Sequence, residues 1–313
     1  MPNSLIPRTD SAHSYQLLIK QILYAPLANH PEQEIVYRDQ WRGNYSTLRE
    51  RICRLANALT RLGVKAGDTV AVMDYDSHRY LECFFAVPML GAVLHTINVR
   101  LSPEQILYTI DHAEDDLLLI NGDFLPILDQ IKGRLDTLKG YVLLNDETRP
   151  PQTSIPFAGE YEALLAESAP RFDFPDFDEN TRATTFYTTG TTGLPKGVYF
   201  SHRQLVLHTL GVVAALATPL AQGRLHRQDV YMPITPMFHV HAWGLPYAAT
   251  LMGLKQVYPG RYVPDHLLEL IDREKVTFSH CVPTILHMLL KSPLMEKIDL
   301  SRWKVIIGGA GLS

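Results

Sequence analysis

Hydrophobic and polar positions follow two different periods along the first part of the chain. In residues 46–63 the apolar side chains recur every three to four positions, which is typical of one face of an amphipathic helix. Thr47 and Glu50 have the spacing of a capping box at its start, and Gly63 is a natural stop. The next apolar run, residues 69–73, is short and uninterrupted, which favours a buried strand.

The alternation of helix and strand continues beyond residue 140. A helix is predicted over residues 77–91, and another begins at Ser102, with Pro103 in its first turn and Gln105 three residues after the cap. Strands separated by helices favour a parallel sheet covered on both faces. The further strand candidates are residues 92–97, 116–120 and 141–145.

Proline and acidic residues interrupt this alternation of helices and strands between residues 145 and 180. We therefore predict a first α/β subdomain over residues 1–150, a connecting segment over 151–182, and a second α/β subdomain over 183–313. In the second subdomain a Thr/Gly-rich loop separates two strands, and a helix follows from about Ser201 to Thr218. The predicted fold class is α/β, with mixed and parallel sheets sandwiched by helices. Later strands are predicted at 229–233, 255–259, 276–282 and 304–309, and later helices at 241–253, 264–274 and 283–291.

Composition narrows the functional classes. With 46% hydrophobic and 20% charged residues, the 313-residue chain has the make-up of a globular protein with a large core. A net charge of -4 gives no reason to expect nucleic acid as a partner. Three widely spaced cysteines form neither a disulfide framework nor a zinc motif. No apolar stretch reaches the ~20 residues of a membrane span, and we expect a cytoplasmic protein.

The Thr/Gly-rich loop concentrates distinctive chemistry in residues 188–197. Glycines that accept positive φ let several backbone N–H groups turn toward one point, and such nests bind anions. Threonine hydroxyls and the mobile cation of Lys196 add donors suited to a terminal phosphate. We therefore expect a polyphosphate-binding loop, with an ordinary surface loop as the alternative. The glycines are Gly190, Gly193 and Gly197, and the threonines are Thr188, Thr189, Thr191 and Thr192.

This loop does not follow the Walker pattern, G-x-x-x-x-G-K-[ST]. Pro195 stands where the second glycine should precede Lys196, and Gly197 stands where Ser or Thr should follow it. A Walker loop also leads directly into a helix, whereas the residues on both sides of this loop are strand-like. The loop is therefore expected to join two strands.

The loop closely resembles the phosphate-binding motif of the adenylate-forming enzymes, which include acyl-CoA synthetases, adenylation domains of peptide synthetases and luciferases. The string that carries the resemblance is YTTGTTGLPKGVYFSHRQL, residues 187–205. Residues 44–59 look like the first helix motif of this family, and residues 87–119 look like the segment that follows it in acyl-CoA synthetases. PMFHVHAWGLPYAATLMG, residues 236–253, is similar to the acyl-pocket motif of fatty-acyl-CoA ligases, and IIGGAGLS, residues 306–313, resembles the Gly-Gly-Ala segment.

The resemblance implies a two-step reaction. A carboxylate attacks the α-phosphate of ATP to give an acyl-adenylate, and the thiol of coenzyme A then displaces AMP. Lys196 would hold the β- and γ-phosphates while Mg²⁺ bridges them, Thr188 would be the magnesium-side hydroxyl, and His239 would lie beside the acyl group and the α-phosphate. Thr189, Gly190, Thr191, Thr192 and Gly193 would wrap the phosphates, and Gly309, Ala310 and Gly311 would approach the adenosine or the acyl carbonyl.

The residues assigned to the substrate side can also be interpreted in other ways. His239 and His241 are two positions apart and would share a face on a strand, so a zinc site or a packed histidine is an alternative, although no nearby carboxylate or cysteine completes a zinc set. Trp243 resembles the residue that gates the fatty-acyl tunnel in this family, with a core tryptophan as its alternative. Val282 and Thr284 are expected to line the acyl pocket, or else to belong to the core.

Three functions stay open at this point: a medium- or long-chain fatty-acid–CoA ligase, a non-catalytic nucleotide- or acyl-binding module or half of a split enzyme, and a ligase for an aryl or amino acid. An amino-acid pocket would need an aspartate near Phe238, and Asp229 is too far upstream. Members of the family continue past the Gly-Gly-Ala segment, so we expect the chain to be an N-terminal part that is inactive alone. The expected partners are a fatty acid, ATP and coenzyme A, with a homodimer left open.

Overall fold

Two sheets make up the framework of the computed structural model, which describes residues 6–7, 9–147, 151–188, 193–218 and 223–308. The larger sheet has seven strands in the order β7-β6-β5-β3-β4-β8-β9. Its strands are parallel except for the last pair, β8 and β9, which is antiparallel. The bounds are β3 (Thr69–Met73), β4 (Val93–Thr96), β5 (Asp115–Asn121), β6 (Gly140–Leu144), β7 (Phe157–Glu160), β8 (Arg182–Thr188) and β9 (Lys196–Ser201).

The second sheet has six strands in the order β13-β12-β10-β11-β1-β2. A hairpin from the start of the chain, β1 and β2, joins four strands from its last third, and β1 pairs in parallel with β11. The pattern analysis did not predict this hairpin, because β2 has the sequence WRGN, which is not an apolar run. The bounds are β1 (Glu34–Tyr37), β2 (Trp41–Asn44), β10 (Val230–Pro233), β11 (Lys255–Tyr258), β12 (Phe278–Cys281) and β13 (Lys304–Ile307).

Helices cover both sheets and fill the space between them. The strongly amphipathic helix begins at Tyr45 and is capped by Asn44, whose side chain accepts from the backbone N–H of Thr47. The predicted capping box of Thr47 and Glu50 is therefore wrong, because the helix starts two residues earlier. The capping box of Ser102 and Gln105 is confirmed. The helices are α1 (Lys20–Asn29), α2 (Tyr45–Arg61), α3 (His78–Met89), α4 (Pro103–Ala113), α5 (Leu125–Ile131), α6 (Tyr161–Ala166), α7 (His202–Ala217), the single turn α8 (Val240–Trp243), α9 (Leu245–Met252), α10 (Pro264–Glu274) and α11 (Pro283–Leu290).

The two sheets exchange strands across the predicted subdomain boundary. Strands β8 and β9, after residue 181, belong to the sheet of the first half, whereas β1 and β2 belong to the sheet of the last third. The segment at 151–182 contributes the edge strand β7 and the helix α6. The division at residues 150 and 183 stays a prediction about the chain, and the pairing of strands does not follow it.

Helix α3 links the two sheets. All twelve of its residues are buried, and it contacts β1 of the six-stranded sheet and β3, β4 and β8 of the seven-stranded sheet. Its apolar side chains share one core cluster with α2, β1, β3 and α9. Because it is buried on every side, α3 forms an interior layer, in which Arg79 pairs with Asp146 and Glu82 pairs with Arg51. Among the described residues, no helix is long and apolar enough to cross a membrane.

This arrangement brings the carboxyl ends of strands from both sheets to one edge. Asp76, just after β3, forms an antiparallel bridge with Gly260, just after β11. Thr96, the last residue of β4, donates its hydroxyl to the carbonyl of Phe238, which follows β10, at 3.1 Å. Ligands of open α/β sheets bind outside the carboxyl ends of parallel strands, so this edge is where a site is expected.

Candidate functional site

Several of the residues predicted from the sequence as site residues lie at or after the carboxyl ends of strands. Thr188 is the last residue of β8, His239 follows β10, and Val282 follows β12. Gly308, which starts the Gly-Gly-Ala segment, follows β13 directly. Phe186 of β8 is the register partner of Thr96, and Thr96 bonds the carbonyl next to His239. Thr188 and His239 therefore belong to the same edge.

The Thr/Gly-rich loop joins two strands, as predicted, and these strands, β8 and β9, are antiparallel. Thr188 is paired in register with Lys196, and its hydroxyl lies 3.5 Å from the carbonyl oxygen of Lys196. Both side chains are exposed, and Gly193 has φ +99°, a left-handed conformation that favours glycine. The geometry thus presents one hydroxyl and one ammonium at the open end of a hairpin. Thr189, Gly190, Thr191 and Thr192 lie outside the described residues.

A tyrosine supports the base of this hairpin. Tyr187 packs its ring so closely on Gly197 that a Cβ atom there would lie 3.3 Å from Tyr187 Cε1. The hydroxyl of Tyr187 bonds Nδ1 of His112 on α4 at 2.7 Å. Burial raises the pKa of Tyr187 well above its ordinary value, so the phenol stays neutral. The hairpin is anchored at its base, while Thr188 and Lys196 at its opening are exposed.

His239 is exposed, and the segment before it is fixed by three hydrogen bonds. The hydroxyl of Thr235 donates to the carbonyl of His280 at 3.2 Å, Met237 N donates to a buried carboxylate at 2.8 Å, and Phe238 O accepts from Thr96. Desolvation, and next the nearby cation of Arg100, lower the pKa of His239. The imidazole is therefore neutral at pH 7, so one ring nitrogen can donate a hydrogen bond and the other can accept one.

The backbone after His239 is left-handed for five consecutive residues. Val240, His241, Ala242 and Trp243 have φ between 48° and 55°, and Gly244 has φ +72°. This conformation costs about 1–2 kcal/mol for each residue with a Cβ. The amide of Ala242 donates to His239 O and that of Gly244 to His241 O, which holds the turn closed. Such strain persists only where surrounding structure over-determines it, and it concentrates at functional sites.

Gly244 is required at the end of this turn for a second reason. A Cβ atom at Gly244 would lie 2.7 Å from ring atoms of His208 on α7, which is closer than real contacts allow. Helix α9 begins at the next residue, Leu245. The turn therefore brings α9 and α7 together and fixes the direction in which Trp243 leaves the backbone.

His241 does not share a face with His239, because the segment is not a strand. Its ring is buried and meets the rings of Phe84 and Phe186 edge to face, at centroid distances of 5.6 and 5.4 Å. Burial, and next the nearby His208, lower the pKa of His241 to about 3. No group of three or more metal-binding side chains occurs among the residues that the structure describes. His241 is a packed neutral histidine.

Trp243 lies against the start of the Gly-Gly-Ala segment. A Cβ atom at Gly308 would lie 2.9 Å from the Trp243 indole, so only glycine fits there without displacement. The indole also contacts the ring of His280, with centroids 5.1 Å apart. Trp243 is partly exposed and thus not a simple core residue. Gly309, Ala310 and Gly311 lie outside the described residues.

Val282 and Thr284 line an open groove of about 770 Å³ at the start of α11. Ile285 and Met288 add apolar surface to its wall. Arg100 lines both this groove and a neighbouring cavity of about 300 Å³ that reaches Phe238, and its guanidinium lies 5.9 Å from the centre of the Phe238 ring. Arg100 therefore borders both the groove that Val282 and Thr284 line and the cavity at Phe238, the residue before His239.

Sequence reasoning missed two polar residues of this edge. Asp76 and Arg100 were not proposed as site residues, although each follows a strand that was predicted correctly. Asp76 is the buried carboxylate that accepts from Met237 N. The rule that ligands bind beyond the carboxyl ends of parallel strands could have identified both.

Comparison with known proteins agrees with this geometry. Residues 24–313 match the family described as AMP-binding enzyme. A long-chain-fatty-acid–CoA ligase from Thermus thermophilus is 46% identical over 245 residues, which is 78% of this chain and 43% of that protein. A 3-methylmercaptopropionyl-CoA ligase from Ruegeria lacuscaerulensis is 37% identical over 303 residues, 94% of this chain and 55% of that protein. The chain thus spans about half the length of these curated relatives.

A solved structure shows the same fold. An anthranilate CoA ligase in complex with anthranoyl-AMP superposes with a TM-score of 0.80, over 93% of this chain and 54% of the other, at 22% identity. At this identity the likeness establishes the architecture alone. The predicted α/β class, with mixed and parallel sheets between helices, is confirmed by it.

Proposed function

Because the chain belongs to the family of AMP-binding enzymes, we propose that the protein is an ATP-dependent, AMP-forming acid–CoA ligase. A carboxylate oxygen attacks the α-phosphorus of ATP, the bond to the β-phosphate oxygen breaks, and pyrophosphate leaves with both electrons of that bond. The thiol of coenzyme A then attacks the acyl carbon, loses its proton, and AMP departs.

One observation carries the proposal: the loop with Lys196 and the segment with His239 lie at the same edge of the two sheets. The hydrogen bond from Thr96 to Phe238 O joins the end of β4 to the segment after β10. Strand β8, which leads into the loop, pairs with β4 at that point. An acid held beside His239 would therefore face a nucleotide held by the loop.

The residues of the loop fit a polyphosphate by their chemistry. The exposed ammonium of Lys196 and the hydroxyl of Thr188 stand at the hairpin opening, and left-handed Gly193 adds a backbone that can turn its N–H outward. Phosphoryl transfer needs positioning and neutralisation of charge more than covalent help. Thr188 would offer its hydroxyl to Mg²⁺, and the bound ion would neutralise charge on the phosphates.

His239 would orient the acid and the developing charge at the α-phosphate. Its imidazole is neutral at pH 7, so it can donate one hydrogen bond without adding a full charge beside Arg100. The packed turn that follows it restricts how far the ring can move. We assign positioning and hydrogen bonding to this residue, and we assign no proton transfer to it.

A fatty acid is the substrate that we favour. The groove at Val282 carries Ile285 and Met288, so an aliphatic chain would find apolar surface there. The relative from Thermus thermophilus is named a long-chain-fatty-acid–CoA ligase. A short thioether acid is the second candidate, because the Ruegeria relative is named for 3-methylmercaptopropionate activation.

The test is ATP–pyrophosphate exchange by the full-length protein with an acid panel that includes hexanoate, dodecanoate, hexadecanoate, 3-methylmercaptopropionate and benzoate. Exchange that is fastest with the fatty acids supports the proposal. Exchange only with 3-methylmercaptopropionate supports the second candidate. Exchange with none of the acids, in a protein that still binds ATP, would show that the chain is a binding module. A cytoplasmic location and a homodimer remain proposals, which fractionation and sedimentation would check.

A further inference from the structure

Asp76 ties three segments of the molecule together. It is 3% exposed and follows β3 in the seven-stranded sheet. Its Oδ1 accepts from Met237 N at 2.8 Å, its Oδ2 accepts from the hydroxyl of Tyr262, and its own carbonyl accepts from Gly260 N at 2.8 Å. One residue of the first sheet thus binds the segments that follow β10 and β11 of the second.

The segment that Asp76 holds is the one that carries His239. Met237 lies two residues before His239, and the adjacent Phe238 borders the cavity of about 300 Å³ that Asp76 and Arg100 also line. Loss of the bond to Met237 N would leave a buried amide without this partner. The segment would then be free to shift relative to the edge of the seven-stranded sheet.

Three side chains hold the segment before His239, and Asp76 is the ionisable one among them. The other two, Thr96 and Thr235, contribute hydroxyls. Burial raises its pKa to about 7, against the hydrogen bonds from Tyr262 and Met237 N and the charge of Arg100, while Asp74 raises it further. The ionised form can accept from two donors at once, and charge-assisted bonds are the stronger ones. The groups that face it are Asp74, Tyr80, Arg100, Tyr231, Tyr258 and Tyr262.

We propose that Asp76 is a positioning residue, which sets the place of His239 and of the acid substrate by holding Met237 and Tyr262. This inference rests on the proposed function, because it assigns Asp76 to the acid side of the adenylation step. Asp76 does not act on the nucleotide, since the Thr/Gly loop is carried by β8 and β9 on the far side of β4.

The experiment compares wild type, Asp76→Asn and Asp76→Ala in the full-length protein by ATP–pyrophosphate exchange. We expect Asp76→Ala to raise the KM for the acid at least tenfold while the KM for ATP stays within threefold. Asp76→Asn keeps an acceptor for Met237 N, so it should stay within about fivefold of wild type at pH 8. In wild type, kcat/KM for the acid should fall as pH drops through about 7, and Asp76→Asn should lack this ionisation.

Asp74→Asn is the matched control. Asp74 is equally buried in the same loop, but it bonds Ser77, Asn121 and the amide of Tyr75, and touches neither Met237 nor Tyr262. It should leave the KM for the acid unchanged and move the ionisation near pH 7 to lower pH, because its charge raises the pKa of Asp76. An unchanged acid KM in Asp76→Ala, or an ionisation near pH 7 that persists in Asp76→Asn, would overturn the proposal.

An NMR titration needs no catalytic turnover, so it tests the positioning role of Asp76 separately from the proposed ligase function. The NMR titration of the His239 imidazole should show a lowered pKa in wild type, Asp76→Asn and Asp74→Asn. In Asp76→Ala the pKa should lie nearer the ordinary value, because the shifted ring would be less desolvated and no longer held near Arg100. Wild type without exchange on any acid would refute the proposed function alone. An unchanged His239 titration in Asp76→Ala would refute the positioning role whether or not the enzyme turns over.

Discussion

The two segments that carry the candidate site are held in opposite ways. The hairpin at Thr188 and Lys196 is anchored at its base by Tyr187, and its described ends point into solvent. The segment from Pro236 to Gly244 is tied to both sheets, and its backbone stays left-handed over five residues. The described ends of the hairpin are exposed, whereas the other segment is fixed at a cost in backbone strain.

This difference matches the chemistry proposed for each segment. A loop that wraps a polyphosphate must open to admit it, and hydroxyls, amides and one ammonium can adapt to several phosphate positions. A segment that shapes an apolar pocket must keep its form, because a misplaced wall changes which acid fits. Substitutions at the exposed ends of the hairpin should therefore change activity with little effect on stability, whereas substitutions in the turn should lower stability directly.

The largest expected effect is on activity, from Lys196→Met. Its ammonium is the charge offered to the phosphates, so we expect the rate of ATP–pyrophosphate exchange to fall about 100- to 1000-fold. The side chain is exposed, so the midpoint of thermal unfolding should move by less than about 2 °C. Lys139→Met, at the exposed amino end of β6, is the control and should retain full exchange. A loss of stability as large as the loss of activity would break the contrast between hairpin and turn.

The next effect is on stability, from Gly244→Ala. The added Cβ meets the His208 ring and must adopt φ +72°, so we expect the free energy of unfolding to fall by about 2–4 kcal/mol. Urea unfolding measures this directly. Gly211→Ala is the matched control, because open space surrounds Gly211 within α7 and alanine favours a helix by about 0.5–1 kcal/mol. Equal effects of the two substitutions would mean that the turn is not strained.

The sequence predicted the hairpin far better than it predicted the turn. The glycines, threonines and Lys196 have chemistry that is visible residue by residue, and the flanking strands have clear apolar patterns. Nothing in the residues around Val240 and His241 signals a left-handed backbone, since residues with a Cβ avoid it. That conformation is imposed by His208, Phe84 and Phe186, which are distant in sequence, so only the folded structure reveals it.

The prediction of the two sheets from the sequence was limited in the same way: single strands could be predicted, but not all of their pairings. Strands β3, β4, β5 and β6 were predicted because each is a short apolar run between helices. The pairing of β1 with β11 could not be predicted, because it joins residues more than two hundred positions apart and depends on which sheet has a free edge. The role of Asp76 depends on that same distant pairing, since Gly260 and Tyr262 follow β11.

A smaller effect concerns the pH dependence of stability, through His241. In the unfolded chain a histidine takes up its proton near pH 6.5, whereas burial keeps the folded His241 neutral down to about pH 3. Stability is therefore lost as pH falls from about 6.5 toward 3, by up to about 1.4 kcal/mol per pH unit. His241→Phe keeps the aromatic packing and should lower the slope of the unfolding free energy by about that amount. In this variant His202 and His280, with pKa values lowered to about 4 and about 3, still make the unfolding free energy depend on pH.

His239→Phe provides the contrast for that measurement. His239 is exposed, so its removal should change the slope much less than removal of His241. Urea unfolding curves at pH 4.5, 5.5, 6.5 and 7.5 would give both slopes. Equal slopes for the two variants would show that His241 reaches water, contrary to its burial among the aromatic rings.

The smallest expected effect probes the base of the hairpin, through Tyr187→Phe. This change removes the hydrogen bond to His112 and keeps the ring on Gly197, so we expect the free energy of unfolding to fall by about 1 kcal/mol. The KM for ATP should change less than threefold, because the exposed tip of the hairpin, and not its base, meets the phosphates. A double-mutant cycle with His112→Phe isolates the pair, and a coupling near zero would mean that the bond contributes nothing. A tenfold rise in the KM for ATP would show instead that the buried base of the hairpin controls nucleotide binding. The proposed contrast between a hairpin with exposed ends and a fixed turn would then be wrong.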